Sequence, residues 1–238
     1  GTRINVELPG VSREAEVRQL LQGTALLEFK LLKEPDVAYR IMDAIDKALA
    51  AAGVDSTDTT STAFADTNTI TTPEGEMSPE EFGRKHPFFA VAIVNPQQFP
   101  GEAVVSEENR EKVRRILLRE EVRRTIPNDV ESLWAAKPRI VDQGKPYFTL
   151  YPVKSTPELT GGVITNARAN IDPGVNQPIV TMEMNSEGSR DWARITGANV
   201  NKRIAIVMDD AVFSAPVVRN KITGGHSQIE GMDNLDEA

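Results

Sequence analysis

Two histidines, His86 and His226, are the whole imidazole complement of this chain, and no cysteine accompanies them. A Ser-His-Asp relay needs an imidazole held by a carboxylate beside a nucleophile. His86 precedes Pro87 at the end of a short helical pattern, where a cation complements the helix dipole, and His226 follows Gly224-Gly225 in a loop. Each reads first as a helix-end or surface histidine, with catalysis the lesser alternative. Paired carboxylates are the other route to acid–base chemistry. Glu183 and Glu187 lie close in sequence, one on the polar side of a strand pattern and the other in the first turn of a helix pattern. Those positions explain both acids without chemistry, and a hydrolase built on them stays open as an alternative.

Metal sites draw ligands from short spacings such as two histidines on one helix face, and nucleotide sites from glycine-rich phosphate loops. Neither pattern occurs, so no metal, cofactor or catalytic residue is assigned. From Asp55 to Thr72, thirteen of eighteen residues are Ser, Thr or Asp, a composition of a solvated loop rather than of a calcium site. Over 107–124 a helical pattern carries Arg110, Lys112, Arg114, Arg115, Arg119, Arg123 and Arg124. A basic exposed face with i, i+4 glutamate partners is the simple reading, and a docking face for an acidic partner the sharper one. Net charge is −8, which argues against nucleic acid as a partner. The longest apolar run, Phe88–Val94, is far short of a membrane span and reads as a buried strand. Gly1 in place of Met is what an excised segment of a longer protein would show.

The elements that must position these residues centre on 176–216. Pro178–Met184 alternates Val180, Met182 and Met184 against Thr181 and Glu183, the period of a half-buried strand. Ser186 caps a helix with Trp192 and Ile195 on one face, and Arg203–Met208 and Val212–Pro216 form a hairpin through Asp209-Asp210. This is a β-α-β-β unit. Before it, Arg3–Leu8, a helix capped by Ser12 and Thr24–Leu32 read as β-α-β. Pro35 opens a helix with Val37, Ile41, Ile45, Ala48 and Ala52 along one side. Ser78-Pro79-Glu80-Glu81 is a capping box, Asn128–Trp134 suggests a further helical turn, and Arg139–Val141 with Tyr147–Tyr151 a hairpin. Ser227–Ile229 is a short strand, and Asp233 opens a last helix.

Several of these stretches carry a resemblance. Asn185–Val200, Lys202–Asp209, Val212–Pro216 and Ile222–Gly231, with Arg3–Val11 and Thr24–Phe29 near the start, resemble the large first periplasmic domain of the SecD family. Ile126–Val130 resembles the fused SecD–SecF form, and Asp210 stands where that family usually has Gly. The resemblance implies an α+β fold: a ferredoxin-like base, incomplete at the C-terminus, with a large inserted α+β head. On that scheme residues 1–33 are the first part of the base, 34–222 the head and 223–238 the truncated second part, whose open sheet edge invites pairing between copies. Leu32, Lys33, Arg219 and Asn220 are then the hinge. It further implies no catalytic residues. The domain would handle unfolded preprotein at the periplasmic face of the bacterial inner membrane and move with the proton gradient. Its partners would be the SecF part and the SecYEG channel, in a parent protein anchored in the membrane. A static docking scaffold is the alternative without motion.

Overall fold

Leu27–Leu31 (β1) has two working faces: Leu27, Phe29 and Leu31 point to one apolar cluster, while Glu28 and Lys30 point the other way. The computed structural model describes residues 27–54, 70–72, 75–171 and 178–229. The strand expected over 3–8, the helix capped by Ser12, most of the polar tract 55–72 and the helix expected at Asp233 lie outside them. After β1 come helix α1 (Pro35–Ala51), the small hairpin β2 (Ile70–Thr72) and β3 (Gly75–Met77), helix α2 (Pro79–Lys85), strand β4 (Ala103–Ser106), and helices α3 (Glu107–Leu118) and α4 (Glu120–Arg123). Strands β5 (Val130–Ala135), β6 (Ile140–Asp142), β7 (Lys145–Lys154), β8 (Leu159–Thr160), β9 (Ile164–Ile171) and β10 (Pro178–Met184) follow. Helix α5 (Ser186–Ala198), β11 (Ile204–Met208), β12 (Ala211–Ser214) and β13 (His226–Ile229) complete a mixed α+β fold.

The large sheet runs β4-β7-β5-β12-β11-β1-β8, with β6 also on β7. Its two flanks meet. Leu32 bridges Val153 and the Lys33 N–H donates to the Pro152 carbonyl, so β1 returns to β7 and the strands β7, β5, β12, β11 and β1 close into a ring. Closure gives the ring an interior, filled by Leu32, Leu133, Tyr151, Val153, Ala205, Val207 and Val212, while β4 and β8 remain at the ends of the sheet. Lys30 lies inside with Glu28 at 3.0 Å and Glu131. Burial alone would lower its pKa, and the two carboxylates outweigh that and raise it.

Helices α1, α3 and α4 cover the outer side of β4, β5 and β7, burying Ile41, Leu49, Phe88, Val113, Val122 and Leu150. On the other flank, α5 and a second sheet, β13-β10-β9, cover β1 and β11. Each fully buried Phe or Leu in these clusters contributes about 1.5–3 kcal/mol.

Four expectations change. The run at 88–94 is a set of tight turns with a single bridge, Ile93 to Val104, not a strand. The reason is Asp46, whose carboxylate accepts the N–H groups of Phe88 and Phe89 that a neighbouring strand would otherwise take. Residues 130–135 are a strand rather than a helical turn, with Val130 and Trp134 facing the helices and Leu133 and Ala135 the ring interior. The helix expected over 107–124 breaks at Arg119, which has extended backbone (φ −65°, ψ 140°). Val122 is nine residues past Val113, half a turn out of phase in a straight helix, and the break brings both into one core. The helix at 186–198 is capped by Asn185, whose side chain accepts the Gly188 N–H, rather than by Ser186.

The residues expected to share one base module contribute their described strands to different sheets. β1 sits in the ring between β11 and β8, whereas β13 pairs with β10 because Ser227 and Met182 pack beneath Trp192. At the β11–β12 turn, Asp209 and Asp210 take φ of 49° and 62°, the left-handed pair that a two-residue hairpin requires.

Candidate functional site

Two apolar faces legible in the sequence, Met182 on β10 and Trp192 with Ile195 on α5, converge on the outer side of β1 and β11 without filling the space between. What remains is a cleft of about 590 Å³, floored by Phe29, Ile204 and Ile206 and closed along one side by the strap 216–222. Phe29 and Trp192 pack with ring centroids 4.9 Å apart.

Every hydroxyl placed inside is engaged. The Trp192 Nε1–H donates to Ser227 Oγ at 3.3 Å; Thr196 Oγ1 donates to the Trp192 carbonyl at 2.7 Å and accepts the Ile222 N–H at 2.9 Å. The strap, the helix and β13 are thereby tied through one residue. With its two lining hydroxyls engaged by the protein, the cleft offers a largely apolar surface, with Arg219, Asn220, His226 and Gln228 also along it. At the mouth stand Val217, half exposed, and Arg219 and Asn220.

Of the expected hinge residues, Arg219 and Asn220 line the cleft, whereas Leu32 and Lys33 lie on the other side of Arg203. Arg203 bridges Val217 on one side, and its carbonyl accepts the Leu32 N–H on the other, so 32–33 and 217–220 flank the same strand. Leu32 and Lys33 are bonded to both neighbours, and the Lys33 ammonium meets Asp129. Val218 exchanges main-chain hydrogen bonds with Asn201 and Lys202, while Arg219 and Asn220 are exposed.

The chemical candidates do not assemble. Glu183 and Glu187 are both exposed, whereas a working acid pair needs a closed pocket. His226 lies across the ladder from Glu183, on the outer face of the second sheet. His86 does meet a carboxylate, Asp46, at 2.9 Å, with Phe82 and Phe89 against its ring. The role is structural: the Asp46 carboxylate binds α1 to the turns at 86–92. Its burial pushes the pKa up, against the lowering effect of His86 and two N–H groups. On α3 and α4, Arg110, Arg114, Arg119 and Arg124 pair with Glu107, Glu111, Glu121 and Glu120, so most of the basic face is neutralised within the helices.

Sequence reasoning missed Glu102. It is 2% exposed and held by Arg139 and Arg203, whose guanidiniums lie over Phe99 and Tyr151. The pair of arginines comes from segments distant in sequence, and no local pattern announces it. The Tyr151 phenol, at the same end of the ring, is pushed up by burial and by Glu102.

Comparison with known proteins covers both ends of the chain. Residues 1–34 match the family described as protein translocase subunit SecDF, P1 domain, N-terminal, and residues 134–238 match SecDF, P1 head subdomain. The head match takes in 223–238, the residues expected to return to the base. Protein translocase subunit SecD of Rhodothermus marinus is 42% identical over 244 residues, 99% of this chain and 38% of the relative. The SecDF subunit of Thermus thermophilus is 42% identical over 82 residues, 34% of this chain and 11% of the relative. A solved structure of SecDF, a membrane component that enhances protein export, aligns with 98% of this chain and 68% of that chain at 24% identity, with a TM-score of 0.39. The chain therefore spans less than half the length of these curated relatives.

Proposed function

The chain belongs to the P1 domain family of the SecD and SecDF translocase subunits, and on that footing we propose that it is a substrate-handling domain that grips polypeptide during export and catalyses nothing itself. One observation carries the reading: a 590 Å³ apolar cleft whose interior hydroxyls are already engaged. An unfolded chain differs from a folded one in exposing apolar side chains of any type, and a pocket floored by aromatic and aliphatic groups with a flexible Met182 suits such a client.

The parent protein would work at the periplasmic face of the inner membrane beside the SecYEG channel and the SecF part, with proton movement occurring elsewhere. Leu32–Lys33 and Arg219–Asn220 would be its paired pivot. Their position on either side of Arg203 supports this, since a twist of that strand displaces both connections together. A static docking scaffold is the second reading, favoured by the main-chain bonds that pin Leu32 and Lys33. A disulfide lock between the two segments separates them: a scaffold still supports export, a pivot does not.

The gripping role is tested by placing a carboxylate at the cleft mouth. Val217→Asp in the parent protein should slow export severalfold, and Leu118→Asp, at an exposed apolar residue on α3, should not. Equal export by both variants and wild type would overturn the reading.

A further inference from the structure

Glu102 stands where several distant segments of the chain meet. Its loop presses on the entry to α1: a Cβ at the neighbouring Gly101, which takes a φ of 78°, would sit 3.2 Å from the Pro35 Cα and 3.6 Å from the Lys33 carbonyl oxygen. Its carboxylate, 2% exposed, holds Arg139 from just before β6 on one oxygen and Arg203 from just before β11 on the other. Arg203 carries the contact further. Its Nε–H donates to the Ala215 carbonyl at 3.0 Å, its own carbonyl accepts the Leu32 N–H, and its guanidinium lies 5.7 Å from the centre of the Tyr151 ring. Ala215 directly precedes the strap 216–222. Within the strap the Pro216 carbonyl accepts the Ile204 N–H, and Val217, Val218 and Ile222 line the cleft.

We propose that Glu102 is a positioning residue for the cleft: through Arg203 it holds the strap closed, and breaking that pair frees the strap while the ring stays folded. This rests on the gripping role proposed above and names the residue that sets how firmly the wall is held. Main-chain ties of the strap, such as the Val218 N–H to the Lys202 carbonyl at 2.8 Å and the Ile222 N–H to Thr196 Oγ1 at 2.9 Å, are neutral. Charge-assisted hydrogen bonds are roughly twice as strong, so the ionic tie governs where the strap sits. Leu32 hangs on the same Arg203, and a movement of the pivot at Leu32–Lys33 therefore reaches the strap through this pair.

The test is native-state amide hydrogen exchange on the intact chain and its variants, with the neutral apolar dye N-phenyl-1-naphthylamine as the cleft probe. In Glu102→Gln the Val218 and Ile222 amides should lose about tenfold of their protection, and dye binding should weaken about threefold. Arg203→Lys, which keeps a charge on Glu102 but loses the Nε–H to Ala215, should do the same. Arg139→Lys, which disturbs the same carboxylate away from the strap, should leave both readouts as in the native chain. A merely structural Glu102 lowers protection only at amides that open with global unfolding, such as that of the fully buried Val207, and leaves Val218 and Ile222 unchanged. That result overturns the proposal, as does faster strap exchange with unaltered dye binding, or an Arg139→Lys variant whose strap loosens equally. If the dye fails to bind the native chain, the gripping role falls, and the strap amides alone decide whether Glu102 holds the strap.

Discussion

Trp192 and Ser227, thirty-five positions apart, meet through an indole N–H to hydroxyl hydrogen bond that fastens α5 to β13 across the back of the cleft. Trp192 is 5% exposed, so its N–H has no water to fall back on. Ser227→Ala leaves that donor unsatisfied and should cost about 1–2 kcal/mol in urea unfolding. Because the floor is untouched but its wall loosened, peptide affinity should fall as well. Unchanged stability would mean that the hydrogen bond contributes nothing.

Two glycines of α5 give opposite expectations. A Cβ at Gly188 would sit 2.6 Å from the Val163 Cβ and 3.3 Å from the Met184 Cβ, in the packed corner under the helix start. Gly188→Ala should destabilise by about 1–3 kcal/mol. At Gly197 the nearest atom is the Lys221 Cδ at 3.2 Å, on a stem that can swing aside. There the gain in helix propensity, roughly 0.8–1 kcal/mol, should offset the crowding and leave stability level or slightly raised. Thermal melts of the two variants decide the contrast.

Removing Glu102 strands two guanidiniums whose side chains are 37% and 27% exposed. Glu102→Ala should therefore lower stability by about 3 kcal/mol, toward the low end expected for breaking a buried pair because both arginines keep some water. Glu102→Gln, which retains an acceptor, should lose less. Chemical denaturation of both variants measures the difference.

How much of this was legible in the sequence depends on the range over which each element is determined. Helix α1 declares itself through Pro35 and the apolar spacing of Ile41 and Ile45, and α5 through Trp192 and Ile195, since those patterns satisfy their own backbone. The break at Arg119 was not legible, since the pattern over 107–124 reads as one helix, although Val122 falls out of phase with Val113 in a straight helix. Nor were the turns at 86–92, for their donors are met by Asp46, more than forty residues away. Ring closure at Leu32–Val153 and the Glu102 cluster are likewise long-range facts with no local mark. The cleft lies between: each of its faces was periodic, but a gap between faces has no sequence signature.

Asp46 sets a pH dependence with a definite sign. Its folded pKa is raised above the unfolded value of about 3.9 by burial. Its protonated form is therefore the better-tolerated one, and the associated stability is present below that unfolded value and lost as pH rises through the folded one. Asp46→Asn keeps an acceptor for the Phe88 N–H and removes the titration. The stability of Asp46→Asn relative to the native chain should climb as pH goes from about 3 to neutrality, whatever its constant offset. A flat difference across that range would show that Asp46 titrates as an ordinary exposed acid.

The central claim, that the cleft beside Trp192 holds the exported chain, is tested most directly by site-specific photo-cross-linking in the full membrane protein with a stalled preprotein. A photoreactive residue at Val217, half exposed at the mouth, should capture the preprotein, and one at the more exposed Leu118 on α3 should not. Capture at Leu118 equal to that at Val217, or none at Val217, would contradict it.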